Sequence, residues 1–130
     1  TAHQPEADFS SLYLPGLLLS NRKASDSIKC PELERLPVRL GSEERVLLNP
    51  LITITRFREA GADFVRVADG AIILLSSADF YAEDIPGHSA LFWFHDGNAP
   101  RYLLCNQQFV SEMKSMGASG LAFRKLGNAR

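Results

Sequence analysis

Two cysteines, Cys30 and Cys105, are all the sequence carries, with no C-x-x-C and no Cys/His ligand pair near either. Neither a multi-disulfide framework nor a zinc-finger spacing therefore organises the chain. Two reduced, buried thiols are the simpler reading, and a single disulfide between them is the alternative that spacing leaves open. No charge of one sign prevails: 14 Lys+Arg stand against 15 Asp+Glu, a formal net charge of −1. That balance, with a pI near 6.3, excludes the basic face of a nucleic-acid module. It also excludes the low-hydrophobicity, high-charge signature of disorder. Apolar runs such as Leu17 to Leu19 and Ala71 to Leu75 fall far short of the ~20 residues a membrane-spanning helix needs, so a soluble chain without a membrane partner is expected. The first residues carry no basic n-region and no apolar h-region. A removed secretory signal would leave the same start, but thiols that need not pair favour the cytoplasm. Missing too are G-x-G-x-x-G, the P-loop, H-E-x-x-H and G-x-S-x-G, and with them the common phosphate, zinc and nucleophile geometries.

What is present is an ordinary foldable chain of 130 residues, 45% hydrophobic. A chain of this size buries roughly two-thirds of its unfolded surface. No linker, low-complexity tract or charge block interrupts it, so residues 1–130 read as one domain. Leu17 to Leu19 form a short apolar strand stopping at Ser20, a good N-cap, and Asn21 to Lys29 read as a short, weak helix ended by Pro31. Leu36, Val38 and Leu40 alternate with Pro37 and Arg39, the period of a half-buried strand, with Pro37 placing it at an edge. Gly41-Ser42-Glu43 is the following turn. Val46 to Leu48 and Leu51 to Thr55 are β-branched and apolar, with Asn49-Pro50 marking a bend between them.

Phe64 to Val67 and Ala71 to Leu75 flank Asp69-Gly70, a pair suited to the positive φ angles of a type I′ turn, and predict a hairpin. Leu91-Phe92-Trp93-Phe94 and Arg101 to Leu104 predict a second hairpin through Asp96-Gly97-Asn98. Asn106 then caps a helix over Gln107 to Met116, whose Phe109, Met113 and Met116 share one face, and Gly117 closes it. Gly120 and Leu121-Ala122-Phe123 suggest a last short strand. The fold class is α+β: a mostly antiparallel sheet built from hairpins, with one or two short helices. Leu17 to Ser20 and Leu103 to Asn106, each an apolar strand running into a capped helix, form a weak internal echo.

The densest titratable group is Asp79, Tyr81, Glu83, Asp84 and His88. His88 with Asp84 or Glu83 suits a proton-transfer pair or a divalent-ion site. A solvated acidic connection between two hairpins explains the same residues with fewer assumptions, and no cofactor or metal is expected. His95 beside Asp96 resembles an oriented catalytic histidine, yet adjacent strand residues point to opposite faces. Cys105 as a nucleophile for His95 would need an electropositive, partly exposed setting, whereas its position after two leucines predicts a buried thiol. Of the rings in Phe92-Trp93-Phe94, alternate ones fill the core and the other face is a candidate interface anchor. Capping alone accounts for Ser20 and Asn106.

The C-terminal stretch Leu103-Leu104-Cys105-Asn106, a helix, then Gly117-Ala118-Ser119-Gly120-Leu121-Ala122-Phe123 resembles the closing signature of a family of immunity proteins from bacterial polymorphic toxin systems, formerly a domain of unknown function. Asp8-Phe9 through Leu17-Leu18-Leu19-Ser20 to Leu36-Pro37-Val38 looks like the same family's upstream pattern. Asn106 stands where the family usually has Ser, an exchange that preserves capping. Family members carry a further N-terminal segment not seen here, which implies a trimmed chain. The matching positions are structural, so no functional residue carries over. The resemblance implies a non-enzymatic protein that binds and neutralises a cognate toxin or secreted effector. Asp79, Tyr81, Glu83, Asp84, His88, Trp93 and Asp96 are the expected contact residues, with the four acids forming a rim suited to a basic toxin. The alternative is a small hydrolase or metal-dependent enzyme using His88 or His95 with nearby acids.

Overall fold

A computed structural model of the chain describes residues 7–11, 17–66, 72–96 and 101–130. In chain order the elements are β1 (Phe9–Ser11), β2 (Leu18–Ser20), α1 (Arg22–Ser27), β3 (Leu33–Leu40), β4 (Glu43–Pro50), β5 (Thr53–Ile54), β6 (Arg58–Arg66), β7 (Ile72–Asp79), a single 3-10 turn (Ala82–Asp84), β8 (Leu91–Phe94), β9 (Tyr102–Cys105) and α2 (Gln107–Met116). One sheet has the order β1-β2-β4-β3, antiparallel throughout. A second has the order β5-β8-β9, in which β5 runs parallel to β8 and β9 antiparallel to it. β6 and β7 form a separate antiparallel ribbon. The expected α+β class, mostly antiparallel strands with two short helices, is therefore the fold observed.

Both expected hairpin pairings form, Phe64 opposite Leu75 and Phe92 opposite Leu104. The turns assigned to Asp69-Gly70 and Gly97-Asn98 lie outside the described residues. β3 is an edge strand, as Pro37 predicts: a residue without an N–H is tolerated where no further neighbour needs one. β6 is longer than its apolar core suggested. Register shifts between Arg58 and Asp63 accommodate extra residues opposite β7, and Gly61, at φ +80°, supplies the left-handed backbone that such a bulge needs.

Four local expectations are corrected. The N-cap of α1 is Asn21, not Ser20: Ser20 is held in β2 between Phe9 and Val46, while the Asn21 side chain accepts from the Ala24 N–H at 2.7 Å. Asn49-Pro50 do not break the chain but complete β4, opposite Glu34 and Leu33, and the interruption falls at Leu51-Ile52. Met116 is 42% exposed, because the last turn of α2 leaves the core that covers Phe109 and Met113. Leu121 to Phe123 form no strand. Gly120 is glycine for proximity, since a Cβ there would collide with the Phe9 carbonyl. The chain beyond it docks on β7 through Ala78 N–H to the Leu126 carbonyl and Phe80 N–H to the Asn128 carbonyl, at 3.0 and 2.8 Å. A Cβ on Gly127 would likewise strike the Ala78 carbonyl.

The core is built around a run of edge-to-face rings, Phe64 on Phe57, Phe57 on Phe94 and Phe94 on Phe80, with centroids 5.2, 5.7 and 5.8 Å apart. Phe109 and Met113 of α2 are 0% and 1% exposed, each burial stabilising by about 2–3 kcal/mol. α1 is too short to be stable alone. It is pinned at its end by Arg35 on β3, whose guanidinium donates to the carbonyls of Ser25 and Ile28 at 3.3 and 2.7 Å, the place where a cation best satisfies a helix C-terminus.

Asp8 ties the start of the described chain to both helices. Its carboxylate accepts from the Asn21 amide at 2.9 Å and from the Ser119 N–H at 3.1 Å, and its own N–H donates to the Ser119 hydroxyl at 2.9 Å. The Ser119 N–H, then the Asn21 amide, hold its pKa below the ordinary 3.8. A depressed carboxylate contributes stability that is fully present above the ordinary value and is lost as pH falls through the folded one. Denaturant unfolding should therefore find Asp8→Asn less stable than the parent by a constant margin from pH 7 to about pH 5, and by a shrinking margin below about pH 3.8. A margin unchanged at pH 3 would show that the ionised carboxylate is not what the clamp uses.

Candidate functional site

Residues Asp79 to Asp96 leave β7, make one 3-10 turn and return as β8, and the sequence-predicted site residues sit along this path. Tyr81 is the focus of a layered cluster. Two guanidiniums lie over its ring, Arg56 at 4.0 Å and Arg58 at 4.3 Å from the ring centroid. Arg56 is fixed in turn by Asp84, a two-pronged pair at 2.7 and 3.1 Å, and approaches Glu83 at 3.6 Å. The guanidinium holds the Asp84 carboxyl below its ordinary value. Arg58 donates twice to the Arg130 carbonyl, and Arg130 pairs with Asp79 at 2.8 Å, whose other oxygen accepts from the Asn128 N–H.

This arrangement overturns the acidic rim. Asp79, Glu83 and Asp84 are there, on one path with Tyr81, but each faces an arginine of the same chain: Arg130 for Asp79 and Arg56 for the other two. Asp96 stands with Arg66 instead, at 3.3 Å. The arginines come from β6, the segment before it and the chain's end, so the local run of acids gave no sign that folding would neutralise it. The surface is a mixed-charge lattice around an aromatic ring.

Trp93 is corrected as well. It is 3% exposed, as are Leu91 and Phe92, with Phe94 at 1%, because β8 is the central strand of its sheet and both faces are covered. A strand buried on both faces reads as a continuous apolar run rather than an alternating one, and L-F-W-F is such a run. The indole N–H donates to the Asn49 amide oxygen at 3.4 Å and Arg101 lies 4.3 Å from the ring centroid, so Trp93 is a core residue with a satisfied polar tip and not an exposed anchor.

His88 does not meet Asp84 or Glu83. Its Nε2 stands 2.7 Å from Glu32 Oε1, across the chain at the start of β3. Cys30, two residues before Glu32, completes a group of three ligand-type atoms that all lie within 4.8 Å of one another. The backbones of Glu32 and His88 are held separately, and Cys30 is fixed by burial. The Glu32 carbonyl accepts from Leu51 N–H at 3.0 Å, the His88 carbonyl accepts from the Asn106 amide at 2.6 Å, and Cys30 is 2% exposed in the core. Sequence reasoning missed this group because Cys30 and Glu32 are distant in the chain from His88 and flank a proline in no known ligand spacing. His95 and Asp96 also part company: the His95 N–H extends the sheet to the Ile54 carbonyl, while the Asp96 carboxylate turns to Arg66.

Cys30 and Cys105 are both free; Cys30 is buried as expected, whereas Cys105, expected to be buried too, is only partly so. Burial pushes the Cys105 thiol up to about 11, the opposite of what a nucleophile requires. Comparison with family models, with curated proteins and with solved structures found no match for this chain.

The raised thiol has a direct kinetic consequence. Two pKa units above the ordinary thiol mean about a hundredfold less thiolate at pH 8. Alkylation of Cys105 in the folded protein should therefore run on the order of a hundredfold slower than in the denatured chain, followed by mass spectrometry of the Cys105 peptide. Equal rates in the two states would restore Cys105 as a candidate nucleophile.

Proposed function

We propose that this chain is a protein-interaction module of the immunity type, which binds and neutralises a cognate toxin or secreted effector without catalysis of its own, and that the partner seats on the face around Tyr81. The observation that supports this reading is the packing of Arg56 and Arg58 over the Tyr81 ring, with both guanidiniums also hydrogen-bonded elsewhere. Tyr and Arg dominate interface energetics when they are central and well supported. Most of the cost of using them is the ordering of long side chains on binding, about 0.5–1.5 kcal/mol for each one immobilised. Here Arg56 and Arg58 already make these contacts in the unbound chain, which lowers that cost.

The mixed charge of the face also changes the partner to be sought. Three carboxylates matched by arginines do not select a basic toxin through net field. They select a partner whose own charges alternate in register, so specificity rests on geometry more than on long-range attraction. The similarity of the C-terminal stretch to immunity proteins supports the same class. Two free thiols suit a reducing compartment, and we place the chain in the cytoplasm. No helix among the described residues is long and apolar enough to cross a membrane.

The test is co-expression with any toxin domain that an adjacent gene encodes, scored by growth rescue and by calorimetry of the purified pair. A one-to-one complex is expected. Tyr81→Ala should weaken it by about 2 kcal/mol, close to thirtyfold, with the melting temperature little changed because the ring is partly exposed. A complex that tolerates both Tyr81→Ala and Arg56→Ala would move the interface elsewhere, and failure to bind or rescue would remove the immunity reading.

A further inference from the structure

Cys30, Glu32 and His88 offer one thiol, one carboxylate oxygen and one imidazole nitrogen, with the backbones of Glu32 and His88 separately hydrogen-bonded and Cys30 buried. We infer that these residues form a binding site for a thiophilic divalent cation of the Zn2+ class, with three protein ligands and a fourth position open to solvent.

The donor set carries the choice of metal. Thiolate and imidazole together select Zn2+ over the oxygen-seeking Mg2+ and Ca2+, and three protein donors plus water is a recurring zinc arrangement. Cys30 would ligate as the thiolate, its proton passing to solvent. Tetrahedral zinc bonds of about 2.0–2.3 Å place ligand atoms roughly 3.3–3.6 Å apart. The present atoms lie within 4.8 Å of one another, so the widest pair needs to close by no more than about 1.5 Å, while His88 Nε2 and Glu32 Oε1, now 2.7 Å apart, need to part by somewhat under an ångström. Glu32 and His88 have that freedom, their side chains being 36% and 45% exposed and, among the described residues, joined to each other at 2.7 Å. Cys30 need not move, and its 2% exposure supplies the dry wall that makes a metal–thiolate bond durable.

The neighbouring structure reads as a support for such a site. The Asn106 amide, seated at the start of α2, donates to the Pro86 and His88 carbonyls at 3.2 and 2.6 Å and so sets the height of the imidazole. Leu51 N–H sets Glu32 from the opposite side. A metal there would tie the 86–88 loop to the junction of α1 and β3, two parts of the fold otherwise joined at this point through the His88–Glu32 contact. The inference is independent of toxin binding and fails or stands without it.

The experiment is a titration of the full chain, stripped with chelator and kept reduced, with Co2+ as the spectroscopic probe and Zn2+ as the competitor. The expected result is one equivalent of Co2+ with a thiolate charge-transfer band, displaced by one equivalent of Zn2+, and a raised melting temperature in Zn2+. Cys30→Ser should abolish the band. His88→Ala, a change at an exposed position, should weaken Zn2+ by more than the ~10-fold that loss of even a supporting contact costs a metal site. Cys105→Ser should leave band and affinity intact. Absence of a band in the parent, a band lost in Cys105→Ser, or affinity undiminished in His88→Ala would each overturn the site.

Discussion

The side-chain amide of Asn106 makes four hydrogen bonds, and the geometry around β8 and α2 hangs on them. Its oxygen accepts from the N–H groups of Phe109 and Ala90, both at 3.1 Å, and its nitrogen donates to the carbonyls of Pro86 and His88. Every polar site on a planar amide is thereby filled at a residue that is 8% exposed. Three segments meet there: the first turn of α2, the start of β8 and the 86–88 loop. An ordinary cap satisfies one orphan N–H. Asn106 does this and also holds a strand and a loop, so no hydroxyl can replace it.

A second constraint is the handling of charge. Arginines occupy the positions where the fold would otherwise carry unbalanced carboxylates: Arg56 with Asp84, Arg66 with Asp96, Arg130 with Asp79. Exposed pairs of this kind contribute little stability one by one. Their value lies in order, since each fixes a long side chain, and the result around Tyr81 is a rigid surface of alternating charge. The deeper charge, Arg45, has a side chain 1% exposed, donating to the Ala7 carbonyl and Ser10 hydroxyl and lying 3.4 Å from Glu43, and it fastens β4 to β1 across the sheet. Sequence inspection treated the acids as the informative residues; the arginines decide what the acids do.

Legibility followed the range of the interaction. Periods of two and 3.6 residues, the edge proline Pro37 and the pair Asn106 and Gly117 bracketing α2 are local signals, and the structure has strands, edge and helix where they point. Asn21 displaced Ser20 as a cap because strand pairing with Val46 claimed Ser20, a partner 26 positions away in the chain. Gly120 looked like punctuation before a strand and proved to be a close approach to Phe9. The candidate site was the least legible part. Tyr81 and its acids were visible, but the arginines that surround them and the residues that meet His88 come from elsewhere in the chain. The single local clue overlooked was L-F-W-F, whose unbroken apolar character marks a central strand and so buries Trp93.

The fold and both proposals share a dependence on the 80–96 segment being held in one geometry, and Asn106 is what holds it. Unfolding free energies of Asn106→Ser and Asn106→Ala at neutral pH test this most directly. Serine keeps the bond to Phe109 N–H but cannot also reach Ala90 N–H or donate to two carbonyls. Asn106→Ser should therefore fall short of the parent by about 2 kcal/mol or more, close to Asn106→Ala. A serine variant within about 0.5 kcal/mol of the parent would mean that Asn106 is only a helix cap, for which Ser and Asn are near equals, and that the joint described here does not carry the structure.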